Sequence, residues 1–249
     1  MNRTKQRWQR GEIAYGAWLS IASSLSAEAL ARADYDYVCI DLQHGLIDDA
    51  TCAEMLVAIS ATEATPFVRV PANDFAAINR ALDAGALGIV IPMIQGTDDV
   101  QHALDACRYP PLGSRSYGPV RAAVTHANYF ARANDEVACV PMIETRQAAE
   151  QVEAIVSMPG VDAVYVGPND LSLSLGQPPG ADNDGAYAEA YQRISKACAA
   201  QGVAVGIHAN ADLAPMHAAN GFGMITISSD LGMLQKSAHR ELAHAKRTE

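Results

Sequence analysis

Residues 36–93 read DYVCIDLQHGLIDDATCAEMLVAISATEATPFVRVPANDFAAINRALDAGALGIVIPM. Three apolar, β-branched runs (DYVCIDL, PFVRV and LGIVIPM) alternate with two Ala- and Leu-rich segments, DDATCAEMLVAIS and DFAAINRALDAG, whose apolar residues recur at helical spacing. Strands that are apolar throughout must be covered on both faces, so the pattern predicts a parallel sheet joined by helical crossovers. The same alternation continues outward. AYGAWLS and SAEALARA precede the stretch, and TDDVQHALDAC follows it. After a polar segment at 108–135 come VACVPMIE with TRQAAEQVEAIVSM, then DAVYVG with a short DLSLSLG turn and AYAEAYQRISKACAAQ. VAVGIHA with ADLAPMHAANG and GMITISS with DLGMLQKSAHRELAHAK complete the set. Eight such units predict an α/β chain forming a single (β/α)8 TIM barrel over residues 1–249. An open, doubly wound sheet shares the same local pattern and stands as the alternative. Either architecture places chemistry just beyond the carboxyl ends of the strands.

Composition narrows the function classes. Apolar residues make up 49% and charged residues 18%, enough to bury a large core and too apolar for disorder. A formal net charge of −10 lacks the clustered Lys and Arg that a phosphate backbone requires, so nucleic acid is excluded as a partner. The first twelve residues are basic, but Ser and Glu interrupt 14–30, which is too polar for a signal segment or a membrane span. A cytoplasmic location with no membrane partner is expected. Cys39, Cys52, Cys107, Cys139 and Cys198 form no C-x-x-C pair and read as buried free thiols.

The strand ends carry Asp41, His44, Arg69, Glu144 and Asp170, with His208 and Ser228 later. Glu144 and Asp170 each stand where a helix cap also belongs, and His44 alone would read as an ordinary loop residue. Arg69 is different: a guanidinium within an apolar PFVRVP run needs an anion or a hydrogen-bonded partner. Two carboxylates without a Cys pair or His-x-His make a hard, incompletely filled oxygen site suited to Mg²⁺ or Mn²⁺. A 2-oxo acid can chelate such an ion, which then stabilises charge developing on the keto oxygen. The four lysines, Lys5, Lys196, Lys236 and Lys246, all lie away from the expected strand ends, so a Schiff-base mechanism lacks its nucleophile.

The ordered motifs DLQHG, VRVPAND, RALDAGALGIVIPMIQ, RYPPLGSRSYGP, PMIET and VYVGPNDLS resemble the HpcH/HpaI class of metal-dependent pyruvate aldolases. The resemblance runs from the first strand to the last helix. It implies that Glu144 and Asp170 hold a divalent metal, Mg²⁺ or Mn²⁺ with Co²⁺ or Zn²⁺ as further options, and that no organic cofactor is used. It further implies that Arg69 binds the pyruvyl oxygens, that His44 is the base, and that Asp41 and Asp83 orient that histidine, Asp83 reaching from a neighbouring subunit. Gly167, Pro168, Asn169 and Asp170 look like the substrate clamp. Many relatives carry Glu where Gln43 stands and some carry Gln where Met142 stands, and the second change removes a polar substrate contact. The implied reaction is aldol cleavage and addition of 4-hydroxy-2-oxo acids, giving pyruvate or hydroxypyruvate and an aldehyde. The implied assembly is a hexamer, a trimer of dimers in which the last helix packs on a partner subunit. An acyl-CoA lyase of the citrate- or malyl-CoA-cleaving kind shares the barrel but would need a basic surface for the CoA phosphates. A non-catalytic, metabolite-binding barrel is the reading from outside enzymology.

Overall fold

The computed structural model describes residues 2–246. Eight parallel strands close on themselves in chain order. They are β1 (Ala14–Leu19), β2 (Tyr37–Asp41), β3 (Thr65–Arg69), β4 (Gly88–Ile91), β5 (Ala138–Ile143), β6 (Ala163–Val166), β7 (Ala204–His208) and β8 (Met224–Ser229). Each falls within a residue or two of its expected run, and the ring is completed by β1 pairing with β8, which removes the open-sheet alternative. Among the described residues, no helix is long and apolar enough to cross a membrane.

Alternation along each strand divides the apolar residues into two cores. Val38, Ile40, Val68, Ile89, Cys139, Val164 and Ile207 face outward onto the helices, while Trp18, Tyr37, Cys39, Phe67, Val140, Met142 and Tyr165 face inward. The five thiols are free and buried. The interior is plugged by rings: Tyr37 and Tyr165 both hydrogen-bond the Thr226 hydroxyl, at 2.8 and 2.6 Å, and Phe67 packs edge-on against Tyr37. Below them the helix Arg3–Gln9, which periodicity does not reveal, lays Trp8 against Phe67 at 6.2 Å. Gly88 is small for a packing reason, since a Cβ there would overlap the Phe67 ring. Gly88→Ala is therefore expected to cost about 1–3 kcal/mol in chemical unfolding through overpacking, and an unchanged midpoint would show that the ring has room to move.

The polar stretch at 108–135 holds two further helices, Ala122–Thr125 and Tyr129–Glu136. They form a small aromatic annex in which Tyr109, Tyr117 and Phe130 meet at centroid distances of 5.2–6.0 Å. Helix Asp230–Ala245 lies loosely on the barrel: apart from Asp230 its side chains are not buried, and Leu231, Leu234 and Leu242 are exposed.

Candidate active site

The inward-facing top layer, at the carboxyl ends of the strands, is Trp18 on β1, Asp41 on β2, Arg69 on β3, Glu144 just past β5, Gly167 just past β6 and His208 on β7. The in-register pairing Asp41↔Arg69 sets two neighbouring strands' polar residues side by side. Asp41 answers the question that Arg69 raises in the sequence. Arg69 Nε donates to Asp41 Oδ1 at 2.9 Å and its Nη2 to Oδ2 at 2.6 Å, a two-pronged buried pair. Burial opposes ionisation of Asp41, yet the hydrogen bonds and charge of Arg69, helped by the His44 N–H and Trp18, bring its carboxyl below the ordinary value. The guanidinium also lies 5.2 Å from the Trp18 ring centroid, a cation–π contact that fixes its plane.

Asp41 Oδ1 further accepts the backbone N–H groups of Gln43 and His44 at 3.1 and 3.2 Å. Asp41 thus orients His44 through its main chain and spends its carboxylate on Arg69, leaving the imidazole exposed. Asp83, on helix Phe75–Asp83, accepts from Arg115 Nη2 at 2.7 Å and does not touch His44 of its own chain. Arg115, to which the motif RYPPLGSRSYGP assigned no individual role, is fully buried, stacked 4.4 Å from the Tyr109 centroid and hydrogen-bonded to the Tyr129 hydroxyl at 2.9 Å.

Glu144 is 1% exposed. The helix that follows it is capped by Thr145, whose hydroxyl accepts from Ala148 N at 3.1 Å, so Glu144 is released from the capping role open to it in the sequence. Its Oε1 accepts from Met93 N at 2.7 Å. Met93 makes that bond from a left-handed backbone, φ +57, a conformation that costs a non-glycine residue energy and clusters at functional sites. Oε2 lies against Gly167, where any Cβ would collide with it. Burial first, and the neighbouring Asp170 charge next, push the Glu144 carboxyl up, while Met93 N–H and Arg69 oppose the rise. Asp170 sits in the first turn of helix Pro168–Ser174, whose cap residue Gly167 supplies no side-chain hydrogen bond. Among the described residues no group of three or more His, Cys, Asp or Glu side chains gathers into a metal cage. Two close carboxylates, one of them buried with an oxygen left over, are the chemistry that a divalent cation would neutralise.

Met142 is buried in the inner core and its methyl lies against Gly167, adding an apolar wall where a polar contact was lost. Two strand-end residues part company. Between Gly16 and Ala17 the β1–β8 register shifts, and Ser228 turns outward to the Tyr35 hydroxyl at 2.8 Å. His208 turns inward, its ring 5.3 Å from that of Trp18.

The sequence profile of the HpcH/HpaI aldolase/citrate lyase family matches residues 14–238. The chain belongs to that family. It is an enzyme of the aldolase/lyase type. Among family members, the hydroxypyruvate/pyruvate aldolase of Rhizorhabdus wittichii is 40% identical over 99% of both chains. The 2-dehydro-3,6-dideoxy-6-sulfogluconate aldolase of Pseudomonas putida is 34% identical over 96% of this chain and 94% of its own. A crystal structure of a family protein from Burkholderia cenocepacia J2315 superposes with a TM-score of 0.93 at 38% identity, covering 99% of this chain and 100% of the other.

Proposed function

We propose that this family member cleaves and forms the C3–C4 bond of 4-hydroxy-2-oxo acids, yielding pyruvate or hydroxypyruvate and an aldehyde, with Glu144 and Asp170 holding a divalent metal. The observation that carries the reading is the rigid Asp41–Arg69 pair at the barrel mouth, with Glu144 within electrostatic reach of both Arg69 and Asp170. A bound Mg²⁺ or Mn²⁺ would supply Lewis acidity toward the keto oxygen of the substrate. Arg69, unable to lose its proton and held in one plane by Asp41 and Trp18, donates to the same oxygen as it gains negative charge. The first-turn N–H groups of Asn169 and Asp170, beyond Gly167 and Pro168, receive the substrate carboxylate. In cleavage His44 takes the proton from the C4 hydroxyl, the C3–C4 electrons pass into the enolate of the 2-oxo acid, and the aldehyde departs. The His44 imidazolium returns its proton to C3, which restores the base and completes the turnover, and addition runs the same steps backwards.

Among the described residues no hydrogen bond or ion pair joins the His44 imidazole to a carboxylate, and Asp83 has one oxygen on Arg115 and its side chain still 26% exposed. A second copy that brings Asp83 to His44 of the partner subunit completes the dyad, and the exposed leucines of helix Asp230–Ala245 supply apolar surface for the same assembly. We take the assembly to be a hexamer, and light scattering that reports a monomer would remove the cross-subunit dyad.

Chelator-treated protein is expected to release no pyruvate or hydroxypyruvate from a panel of 4-hydroxy-2-oxo acids, and Mg²⁺ or Mn²⁺ should restore release. Turnover that survives chelation overturns the metal assignment. Cleavage of CoA thioesters in place of the panel overturns the aldol assignment.

A further inference from the structure

His208 is a buried-layer histidine for which the reaction above has no use. Its place follows from register: Val166 pairs with Ile207, so Gly167 and His208 come next on adjacent strands. Gly167 leads into the helix turn that receives the substrate carboxylate. The neighbouring inward position is therefore the wall that a 2-oxo acid meets once its keto oxygen faces Arg69 on β3, across the barrel. The imidazole stands edge-on to Trp18, which also packs on Tyr165 and on the Arg69 guanidinium, so a single ring touches both the oxyanion-binding cation and this histidine. His208 stands at an inward-facing strand position and keeps part of its surface accessible. Its ring contact is with Trp18, whose indole N–H lies toward the Asp41 carboxyl, and among the described residues no hydrogen bond occupies the imidazole.

Resting on the aldolase reading, we propose that His208 recognises a hydroxyl on C3 of the 2-oxo acid, making it the residue that favours 3-hydroxypyruvate over pyruvate as donor. The chemistry suits the task. Burial first, and the Arg69 charge next, lower the imidazole to about 4, so near neutral pH the ring is uncharged and offers one donor and one acceptor. A hydroxyl, itself donor and acceptor, can use either nitrogen. A methyl group at the same place leaves the imidazole unsatisfied in a partly desolvated site, which is how polar pockets reject analogues that lack a hydroxyl.

The test compares kcat/KM for 3-hydroxypyruvate and for pyruvate with one aldehyde in the wild type, His208→Phe, His208→Leu and His208→Gln, each in its metal-reconstituted native assembly. With Phe, and with Leu if the Phe chain does not fold, hydroxypyruvate should fall about 10- to 100-fold further than pyruvate, the range expected when one buried hydrogen bond is lost. Gln, which keeps a donor and an acceptor, should restore most of the preference. An equal fall for both donors, or no fall, overturns the proposal, because a merely structural histidine does not distinguish them. Quenching of tryptophan fluorescence by each donor alone gives a second readout, since Trp18 touches His208 and Trp8 is the only other tryptophan. If the wild type turns over neither donor, the aldolase reading fails, and the titrations still decide whether His208 separates the two ligands.

Discussion

Asp41→Ala is expected to unfold at a free energy about 3–5 kcal/mol below the wild type, the cost of stranding a buried guanidinium without its counter-charge. Both partners are deeply placed, with side chains 3% and 11% exposed, so solvent screening does little to soften the loss. The same substitution deprives the N–H groups of Gln43 and His44 of their acceptor. Urea unfolding at neutral pH measures the effect, and the double variant Asp41→Ala/Arg69→Met, which removes both charges, should recover a large part of it. A loss below about 1 kcal/mol would fit a surface pair and not this one, and would mean that Arg69 finds another anion. The pH dependence has a fixed sign. Because the folded Asp41 carboxyl sits below its ordinary value of 3.8, its contribution is complete above that pH and is lost as the pH falls through the lower folded value.

His44→Ala should leave stability within about 0.5 kcal/mol, as expected for an exposed side chain, while aldol turnover drops about 10²- to 10⁴-fold, the usual contribution of a general base. Exchange of the C3 protons of pyruvate with solvent deuterium should fall with it, since that exchange needs the base but no aldehyde. Near-normal turnover in the variant would move the proton to another group. Turnover lost with exchange retained would confine His44 to handling the C4 hydroxyl.

Most of the barrel was readable from periodicity because a strand buried on both faces cannot carry polar residues except at its ends. That rule gave the eight strands and singled out Asp41, Arg69 and Glu144 together. It failed where tertiary contact, not pattern, sets the role. Asp83 looks like any charged residue of a helix, and its engagement with Arg115 depends on a loop folding back over 32 positions. The helix Arg3–Gln9 carries too few apolar residues to announce itself, its one large ring being Trp8 under the barrel. Ser228 and His208 are equivalent in the sequence, and only the shifted register of β8 sends the first outward. Trp18 reads as one more apolar strand residue until its neighbours on β3 and β7 are known.

The stack of Tyr37, Phe67, Tyr165 and Trp8 beneath the mouth makes the reaction chamber a cul-de-sac. Traffic through a single doorway has to queue: under the proposed reaction a 2-oxo acid held at the bottom by Arg69 would go in before the aldehyde and come out after it. Steady-state kinetics should therefore be ordered, with the keto acid competing against the cleavage substrate and the aldehyde inhibiting in a mixed pattern.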